Sequence, residues 1–322
     1  MRALIQEGYG EPRDVLGVGE VHRPTPGDDE VLVRVRAASI HIGDVYGIRG
    51  VPYLFRPMYG LRRPKARIPG TDIAGTIEAV GPSVTKLGPG DEVFGWCKNA
   101  FAEYVVTSAD TLAPKPAGLS FGDAAALGVS AMVALQALRD AGNVQPGQRV
   151  LINGASGGVG TFAVQVAKAF EAEVTGVCSA RAMDMVRRIG ADHVLDYASE
   201  DFTQGEPRYD LILDNVGTRS LAETRRALDA NGRLLSNGAP VGGWTRPLGR
   251  IIRVLVSSWF ERQQGRPVVH AYRASDLIAL KDLVEAGKLR PVIDGAFTLD
   301  EGSSAVGHVA DGHAQGTTVI TM

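Results

Sequence analysis

The chain has 322 residues, which exceeds the roughly 250–300 residues at which one hydrophobic core stops growing, so two domains are expected. Its 44% hydrophobic content excludes a disordered chain, and its formal net charge of −2 excludes a global field that would bind nucleic acid or an anionic membrane. Two distant cysteines, Cys97 and Cys178, exclude a disulfide framework and a four-cysteine structural zinc lobe.

The compartment is predicted from two features of the sequence. No uncharged apolar run approaches the ~20 residues that span a bilayer. The first residues reach Glu7 without the apolar region of a signal peptide. The sequence therefore predicts a cytoplasmic protein.

The chain changes character near Ser120. Before it, short β-like runs such as Glu30–Arg36 alternate with turns, which predicts a mostly β region. After it, an alanine-rich helix is predicted from Asp123 to Ala141, followed by apolar strands that alternate with amphipathic helices. This alternation predicts βαβ units and a doubly wound parallel sheet of six strands. The predicted strands are Arg149–Asn153, Glu173–Ser179, His193–Tyr197, Leu211–Val216, Gly232–Asn237 and Val268–Tyr272.

The tail after the sixth predicted strand is short and mixed. It contains a predicted helix, Leu277–Ala286, and a β-like run near the end, Thr317–Ile320. These elements are expected to complete the first domain rather than extend the second.

The strongest motif is a glycine-rich turn between a buried strand and a helix. Glycines allow a pyrophosphate to approach the backbone, and the helix that follows presents free N–H groups and a positive dipole end. A bland glycine loop is the alternative, but the order strand, turn, helix favours dinucleotide binding. The predicted cofactor-binding residues of the turn are Gly154, Ala155, Ser156, Gly157, Gly158, Val159 and Gly160.

The end of the second strand of this domain indicates which dinucleotide is bound. An NAD site needs an acidic residue there to accept a hydrogen bond from the ribose 2′-OH. The sequence has none, and Ser179 and Arg181 offer a hydroxyl and a guanidinium that suit a 2′-phosphate. NADP(H) is therefore the predicted cofactor. In the alternative interpretation, Arg181 is only a solvated residue in the first turn of the next helix.

With these motifs in place, the chain resembles the medium-chain dehydrogenase/reductase superfamily, and within it the zinc-free, zeta-crystallin-like quinone oxidoreductase branch. The resemblance covers nearly the whole chain. It is carried by Ala37–Asp44, Pro69–Gly81, Gly88–Gly95, Phe101–Tyr104, the glycine-rich turn, Gly190–Tyr197, Tyr209–Gly217 and Gly312–Ala314.

The resemblance implies an α/β protein of two domains. Residues 1–122 and 274–322 would form a GroES-like, mostly β catalytic domain, and residues 123–273 a Rossmann domain. The substrate cleft is expected where the two meet, and a homodimer is expected in solution. The resemblance also implies that Tyr197 helps to hold the 2′-phosphate, that Ser130 lies near the nicotinamide ribose, and that Asn215 contacts the cofactor.

The zinc ligands of related dehydrogenases are missing. Those relatives bring a cysteine near Ile40–Asp44, a Gly-His-Glu where this chain has Gly70–Asp72, and a later cysteine. Tetrahedral zinc needs about four ligands, mostly Cys and His. No metal site is therefore predicted, and Asp72 is interpreted as a hydrogen-bonded turn residue at the start of a strand.

Without a Lewis acid, hydride must go to an electron-poor acceptor, such as a quinone or an α,β-unsaturated carbonyl. By resemblance, the catalytic candidates are Tyr46, Tyr53 and His41. Each tyrosine could instead be a packed aromatic, and His41 a packed or capping residue rather than a proton donor. Asp44 is expected to pair with Arg49.

Other functions stay open at this point. The chain could reduce another small carbonyl, or it could be a superfamily member that binds cofactor with little turnover. Gln315 and Thr317 replace cationic residues of close relatives, and Ala182 replaces an asparagine, so the affinity for NADP(H) is expected to be lower than is typical.

The basic segment Trp244–Arg266 is predicted to cap the cleft and bury its apolar side in an interface. Membrane contact is the less favoured alternative.

Overall fold

The structure is a computed structural model that describes residues 1–53, 56–206, 208–237 and 263–322. The chain packs into two compact units. The first contains Met1–Met132, Tyr272–Ala286 and Pro291–Met322, and the second contains Val133–Ala271 and Gly287–Arg290. Most of the basic segment predicted at 244–266 lies outside the described residues.

Fifteen strands are formed by the described residues. In chain order they are β1 (Arg2–Gln6), β2 (Leu16–Glu20), β3 (Glu30–Ile40), β4 (Asp72–Val80), β5 (Glu92–Trp96), β6 (Tyr104–Ser108), β7 (Leu112–Pro114), β8 (Arg149–Asn153), β9 (Glu173–Cys178), β10 (His193–Asp196), β11 (Tyr209–Asp214), β12 (Leu228–Ser236), β13 (Gln264–Pro267), β14 (Ile293–Thr298) and β15 (Thr317–Thr321).

Ten α-helices lie in the same described ranges. They are α1 (Pro12–Val15), α2 (Ile42–Arg49), α3 (Arg56–Tyr59), α4 (Phe121–Ala126), α5 (Val129–Gln136), α6 (Gly158–Ala169), α7 (Met183–Arg188), α8 (Leu221–Arg226), α9 (Ala274–Glu285) and α10 (Gly302–Ala310).

The first unit is built on a seven-stranded sheet. Its strands lie in the order β14-β15-β3-β4-β5-β7, and β6 also pairs with β3. Strand β3 alternates as the sequence predicts, since Val33 and Val35 are buried while Arg34 and Arg36 are exposed. The C-terminal strand β15 pairs antiparallel with β3, so the end of the chain joins the sheet that its beginning forms.

The second unit contains the predicted six-stranded parallel sheet. Its order is β10-β9-β8-β11-β12-β13, so the first strand of the unit, β8, lies between β9 and β11. In doubly wound sheets, ligands bind outside the carboxyl ends of the strands at this reversal point. Buried side chains such as Leu151, Ile212 and Leu234 form part of the core around the sheet. The α/β class with a GroES-like unit and a Rossmann-type sheet is confirmed.

Two predicted elements are wrong in detail. The sixth strand is Gln264–Pro267 and not Val268–Tyr272, whose residues form no strand. The helix predicted from Asp123 to Ala141 is divided into α4, α5 and a π-helical turn, Ala137–Ala141. The first of these helices packs on β3 and β4, within the first compact unit. The predicted domain limits stay a prediction.

Candidate functional site

The glycine-rich turn links β8 to α6 in the second unit. Gly154 has φ +78°, and its N–H and that of Ala155 both donate to Val177 O. A side chain at Gly160 would place its Cβ 2.0 Å from Gly154 O, so the helix can pack this closely only with glycine there. At Gly157, a Cβ would meet only Gly154 O, at 3.6 Å. A side chain is therefore excluded at Gly160, where the helix packs against the turn, but would be accommodated at Gly157.

Helix α6 begins with uncapped N–H groups. The first N–H groups of a helix have no acceptor inside it, and here they belong to Gly158, Val159 and Gly160. The N-cap residue is Gly157, which offers no side-chain acceptor. Donors of this kind, together with the helix dipole, suit a pyrophosphate.

The turn after β11 completes this edge of the sheet. Asp214 is buried, and its Oδ1 accepts from Asn153 Nδ2 at 2.8 Å and from the N–H groups of Val216 and Gly217. Asn215 Oδ1 accepts from Asn237 Nδ2 at 2.8 Å. Asn215 Nδ2 is buried and has no hydrogen-bond partner among the described residues. A buried donor left over at the carboxyl edge is what a cofactor oxygen would satisfy.

The residues predicted to bind the 2′-phosphate lie at the ends of β9 and β10. Ser179 follows β9 directly, and Arg181 is exposed in the short 3-10 helix after it. Tyr197 follows β10, its N–H donates to Cys178 O at 3.1 Å, and its side chain is 61% exposed. The two parallel strands thus bring all three side chains to one edge of the sheet. These features fit an NAD(P)H site formed by this unit.

The catalytic candidates lie in the first unit. His41 is the N-cap of α2, where its Nδ1 accepts from Gly43 N–H at 3.0 Å. Its Nε2 lies 2.8 Å from Thr71 Oγ1 and 3.5 Å from Asp44 Oδ2. Tyr46 is half-buried on the same helix, and burial raises the pKa of its phenol.

Tyr53 and Ser130 are placed differently. The ring of Tyr53 is 36% exposed and lies 4.4 Å from the Arg56 guanidinium, which also lies over the ring of Tyr9. Ser130 is buried near the start of α5. Its neighbour Val129 donates its N–H to Asp72 Oδ2 at 2.9 Å.

The predicted pair of Asp44 and Arg49 is wrong. Arg49 instead donates to Glu11 Oε2 at 2.7 Å, and Asp44 Oδ2 accepts from His41 N–H at 2.9 Å. Asp44 is the third residue of α2, so its carboxyl reaches back to the residue that caps the helix. Arg49 lies in the last turn of α2, where a different partner is within reach.

Two carboxyls and a histidine form a buried polar cluster in the first unit. Burial raises the pKa of Asp44 to about 7, and burial likewise raises the pKa of Asp72 to about 7. Burial lowers the pKa of His41, although the negative charge of Asp72 acts in the opposite direction. The cluster therefore holds a neutral imidazole at neutral pH.

Sequence reasoning missed three contributors to these sites. Asp214, Thr71 and the Ser39 hydroxyl, which donates to Asp72 Oδ2 at 3.2 Å, were given no role in binding or catalysis. The position of Asp214 at the carboxyl end of a buried strand is a local signal of a binding role. The importance of Thr71 depends on its contact with His41, 30 positions away, which no local pattern shows.

No group of three or more His, Cys, Asp and Glu side chains that could hold a metal ion occurs within the described ranges. The absence of bound zinc stays a prediction.

Comparisons with known proteins agree with this fold. The family model of the alcohol dehydrogenase GroES-like domain matches residues 27–117, and that of the zinc-binding dehydrogenases matches residues 189–320. The human mitochondrial NAD(P)H oxidoreductase RTN4IP1 is 34% identical, and the match covers 100% of this chain and 89% of that protein. A chloroplastic quinone-oxidoreductase homolog of Spinacia oleracea is 31% identical, covering 99% and 98%.

A solved structure has the same fold. The quinone oxidoreductase of Coxiella burnetii superposes with a TM-score of 0.88 at 28% identity, and the match covers 100% of this chain and 99% of that one. The chain belongs to the quinone oxidoreductase-like branch of the medium-chain dehydrogenase/reductase superfamily. It is an oxidoreductase of a family whose members use NAD(P)H.

Among the described residues, no helix has both the length and the apolar character needed to cross a bilayer.

Proposed function

We propose that the protein transfers hydride from NADPH to a quinone or an α,β-unsaturated carbonyl, without a metal. The observation that carries the proposal is the carboxyl edge of the parallel sheet. There the open glycine turn, the uncapped N-terminus of α6 and the side chains of Ser179, Arg181 and Tyr197 share one edge. Relatives named as NAD(P)H and quinone oxidoreductases support the same reaction class.

Each group of residues has a separate task in this proposal. The N–H groups at the start of α6 would bind the pyrophosphate, and Asn215 Nδ2 would donate to an oxygen of the cofactor. Arg181 would bind the 2′-phosphate with charge-assisted hydrogen bonds, and no carboxylate follows β9 to repel that phosphate. When bound, NADPH supplies a hydride at C4 of its nicotinamide.

The acceptor must be activated by hydrogen-bond donors, since the proposed reaction uses no Lewis acid. Donors aimed at an oxygen that gains charge in the transition state lower the barrier without reorganisation. Tyr46, Tyr53 and Ser130 of the first unit are the proposed groups near the acceptor and the nicotinamide. Conjugated acceptors suit such a site, because their electrons move onto an oxygen that these donors can stabilise.

The cofactor assignment is tested by Arg181→Ala. Loss of a charge-assisted contact with the 2′-phosphate should weaken NADPH binding by about 1–3 kcal/mol and leave NADH binding unchanged. Titration calorimetry with both cofactors measures this. Arg208→Ala is the matched control, since Arg208 is exposed at the amino end of β11, the opposite edge of the sheet. Equal affinity of the unmodified protein for NADPH and NADH would contradict the assignment.

Assembly and location are also proposals. We propose a homodimer, which sedimentation at several protein concentrations would test. We propose a cytoplasmic location, whereas the human and spinach relatives are named as mitochondrial and chloroplastic proteins. Cell fractionation distinguishes these compartments.

A further inference from the structure

The hydrogen bonds of His41 define which of its ring nitrogens carries the proton. Gly43 N–H can only donate, so Nδ1, 3.0 Å away, must accept and carries no hydrogen. In a neutral ring the hydrogen is then on Nε2, which donates to Thr71 Oγ1 at 2.8 Å. An imidazolium would place an Nδ1 hydrogen against the Gly43 hydrogen. Burial lowers the pKa of His41 and favours the same neutral ring.

Because His41 donates to Thr71 Oγ1, the hydroxyl hydrogen of Thr71 is available to donate to another group. Its oxygen accepts from His41, and a threonine hydroxyl has one hydrogen to donate. No acceptor for that hydrogen is found among the described residues. The side chain is partly exposed, so the hydroxyl can reach a bound molecule.

The backbone around Thr71 is fixed on both sides. Cys97 N–H donates to Thr71 O at 2.8 Å. Gly70, the preceding residue, has φ +95°, and a Cβ there would lie 2.5 Å from the Phe101 ring. A side chain at position 70 would disturb the backbone conformation of Thr71. Because neighbouring residues already hold this conformation, Thr71 is preorganised, as a catalytic donor must be.

Thr71 also adjoins the other candidate residues of the first unit. His41, which it contacts, begins the helix that carries Tyr46. Asp72, the next residue, accepts from Val129 N–H, and Ser130 follows Val129. Thr71 thus lies where the start of α2, the start of β4 and the start of α5 come together.

We propose that the Thr71 hydroxyl, oriented by the Nε2 hydrogen of His41, donates a hydrogen bond to the carbonyl oxygen of the acceptor during hydride transfer. This inference rests on the proposed function. With an enone, the hydride that bound NADPH would supply forms a C–H bond at the β-carbon, the C=C electron pair becomes the carbon–carbon double bond of an enolate, and the C=O π pair moves onto the oxygen. Thr71 stabilises that oxygen without losing its proton, and water supplies the proton that completes the product. His41 acts through Thr71 and is a positioning residue.

The test compares Thr71→Val with Thr71→Ser. Valine keeps the shape and removes the hydroxyl, so kcat with an enone and NADPH should fall by at least ~10-fold. Serine keeps the hydroxyl and should stay within about 3-fold of the unmodified protein. His41→Ala should lower kcat in the presence of Thr71 and have little further effect in the Thr71→Val protein, because its action passes through the hydroxyl. Thr107→Val is the matched control, a buried threonine bonded to Thr111 and expected to leave kcat unchanged.

A binding measurement separates this inference from the proposed function. Absorbance titration of the NADP⁺-loaded protein with para-nitrophenolate reports donation to an oxyanion without any turnover. Thr71→Val should weaken phenolate binding by about 10-fold, and Thr71→Ser should not. If the unmodified protein reduces no quinone or enone, the proposed function fails while this titration still measures the donor.

The inference is overturned if phenolate binds the Thr71→Val protein as tightly as the unmodified one, or if it binds neither protein. It is also overturned if Tyr46→Phe loses activity while Thr71→Val keeps it.

Discussion

Asp72 carries a buried carboxyl whose two oxygens have different surroundings. Oδ2 accepts from Ser39 Oγ and Val129 N–H, whereas Oδ1 has no partner among the described residues. An ionised carboxylate with an unsatisfied buried oxygen is costly, so the protonated form is favoured. This agrees with a pKa that burial raises to about 7. Asp44, His41 and Cys97 are the other titratable groups of this cluster.

The raised pKa of Asp72 predicts how stability changes with pH. The folded protein retains the Asp72 proton until about pH 7, whereas the ordinary value for Asp is 3.8. The stability linked to this proton is present below pH 4 and is lost as pH rises through 7. His41 acts in the opposite direction, because its lowered pKa costs stability as pH falls.

Asp72→Asn should therefore flatten the pH dependence of unfolding. The unmodified protein should lose about 2–3 kcal/mol more than the variant between pH 5 and pH 8. Urea denaturation at several pH values measures the difference. Asp184→Asn, at a carboxylate that is 84% exposed beside Arg187, is the control and should follow the unmodified protein. A parallel pH dependence for the two proteins would rule out a protonated Asp72.

At the scale of elements, the break between α4 and α5 depends on one glycine. The alanine-rich sequence from Asp123 onward predicts a single helix, and local propensity gives no reason for an interruption. In the structure, a Cβ at Gly128 would lie 2.2 Å from Asp72 Cγ. The missing side chain allows the carboxyl to reach the N–H of Val129 and begin a second helix. A contact between positions 57 residues apart cannot be predicted from the helical pattern.

Gly128→Ala tests this explanation of the break. The added methyl group must displace the Asp72 carboxyl, so the free energy of unfolding should fall by about 1–3 kcal/mol. In an Asp72→Ala background the same change should cost much less, because the obstructing group is gone. Gly122→Ala within α4 is the control, since its Cβ would make only ordinary contacts at 3.7 Å and should be neutral or stabilising. Equal costs in both backgrounds would refute the close approach.

The sixth strand shows the same limit of sequence reasoning. Val268 and Val269 resemble a strand, yet Val269 is 82% exposed and the ladder with β12 uses Gln264–Pro267. Glycine and proline in that short strand have low strand propensity, and they are tolerated because β13 is at the edge of the sheet. By contrast, β8 was predicted with its observed limits, because a buried strand before a glycine-rich turn has a strong local pattern.

At the scale of the whole molecule, the sequence was sufficient for the fold class and the family. The glycine-rich turn follows a buried strand and precedes a helix, as its sequence predicts, and the Asp214–Gly217 segment lies at the carboxyl end of a buried strand. Their part in binding the cofactor stays a prediction. The roles of His41, Asp44 and Asp72 could not be predicted in the same way. They depend on hydrogen bonds between α2, β4 and α5, which form only when distant parts of the first unit fold together.

The central claim is metal-free hydride transfer from NADPH to a conjugated acceptor. It is tested most directly with NADPH deuterated at C4, an enone, and protein dialysed against a chelator. We predict turnover with deuterium at the β-carbon of the product, since hydride passes directly between the two carbons. Loss of turnover on chelation, product without the label, or oxidation of saturated alcohols with no reduction of enones or quinones would contradict the claim.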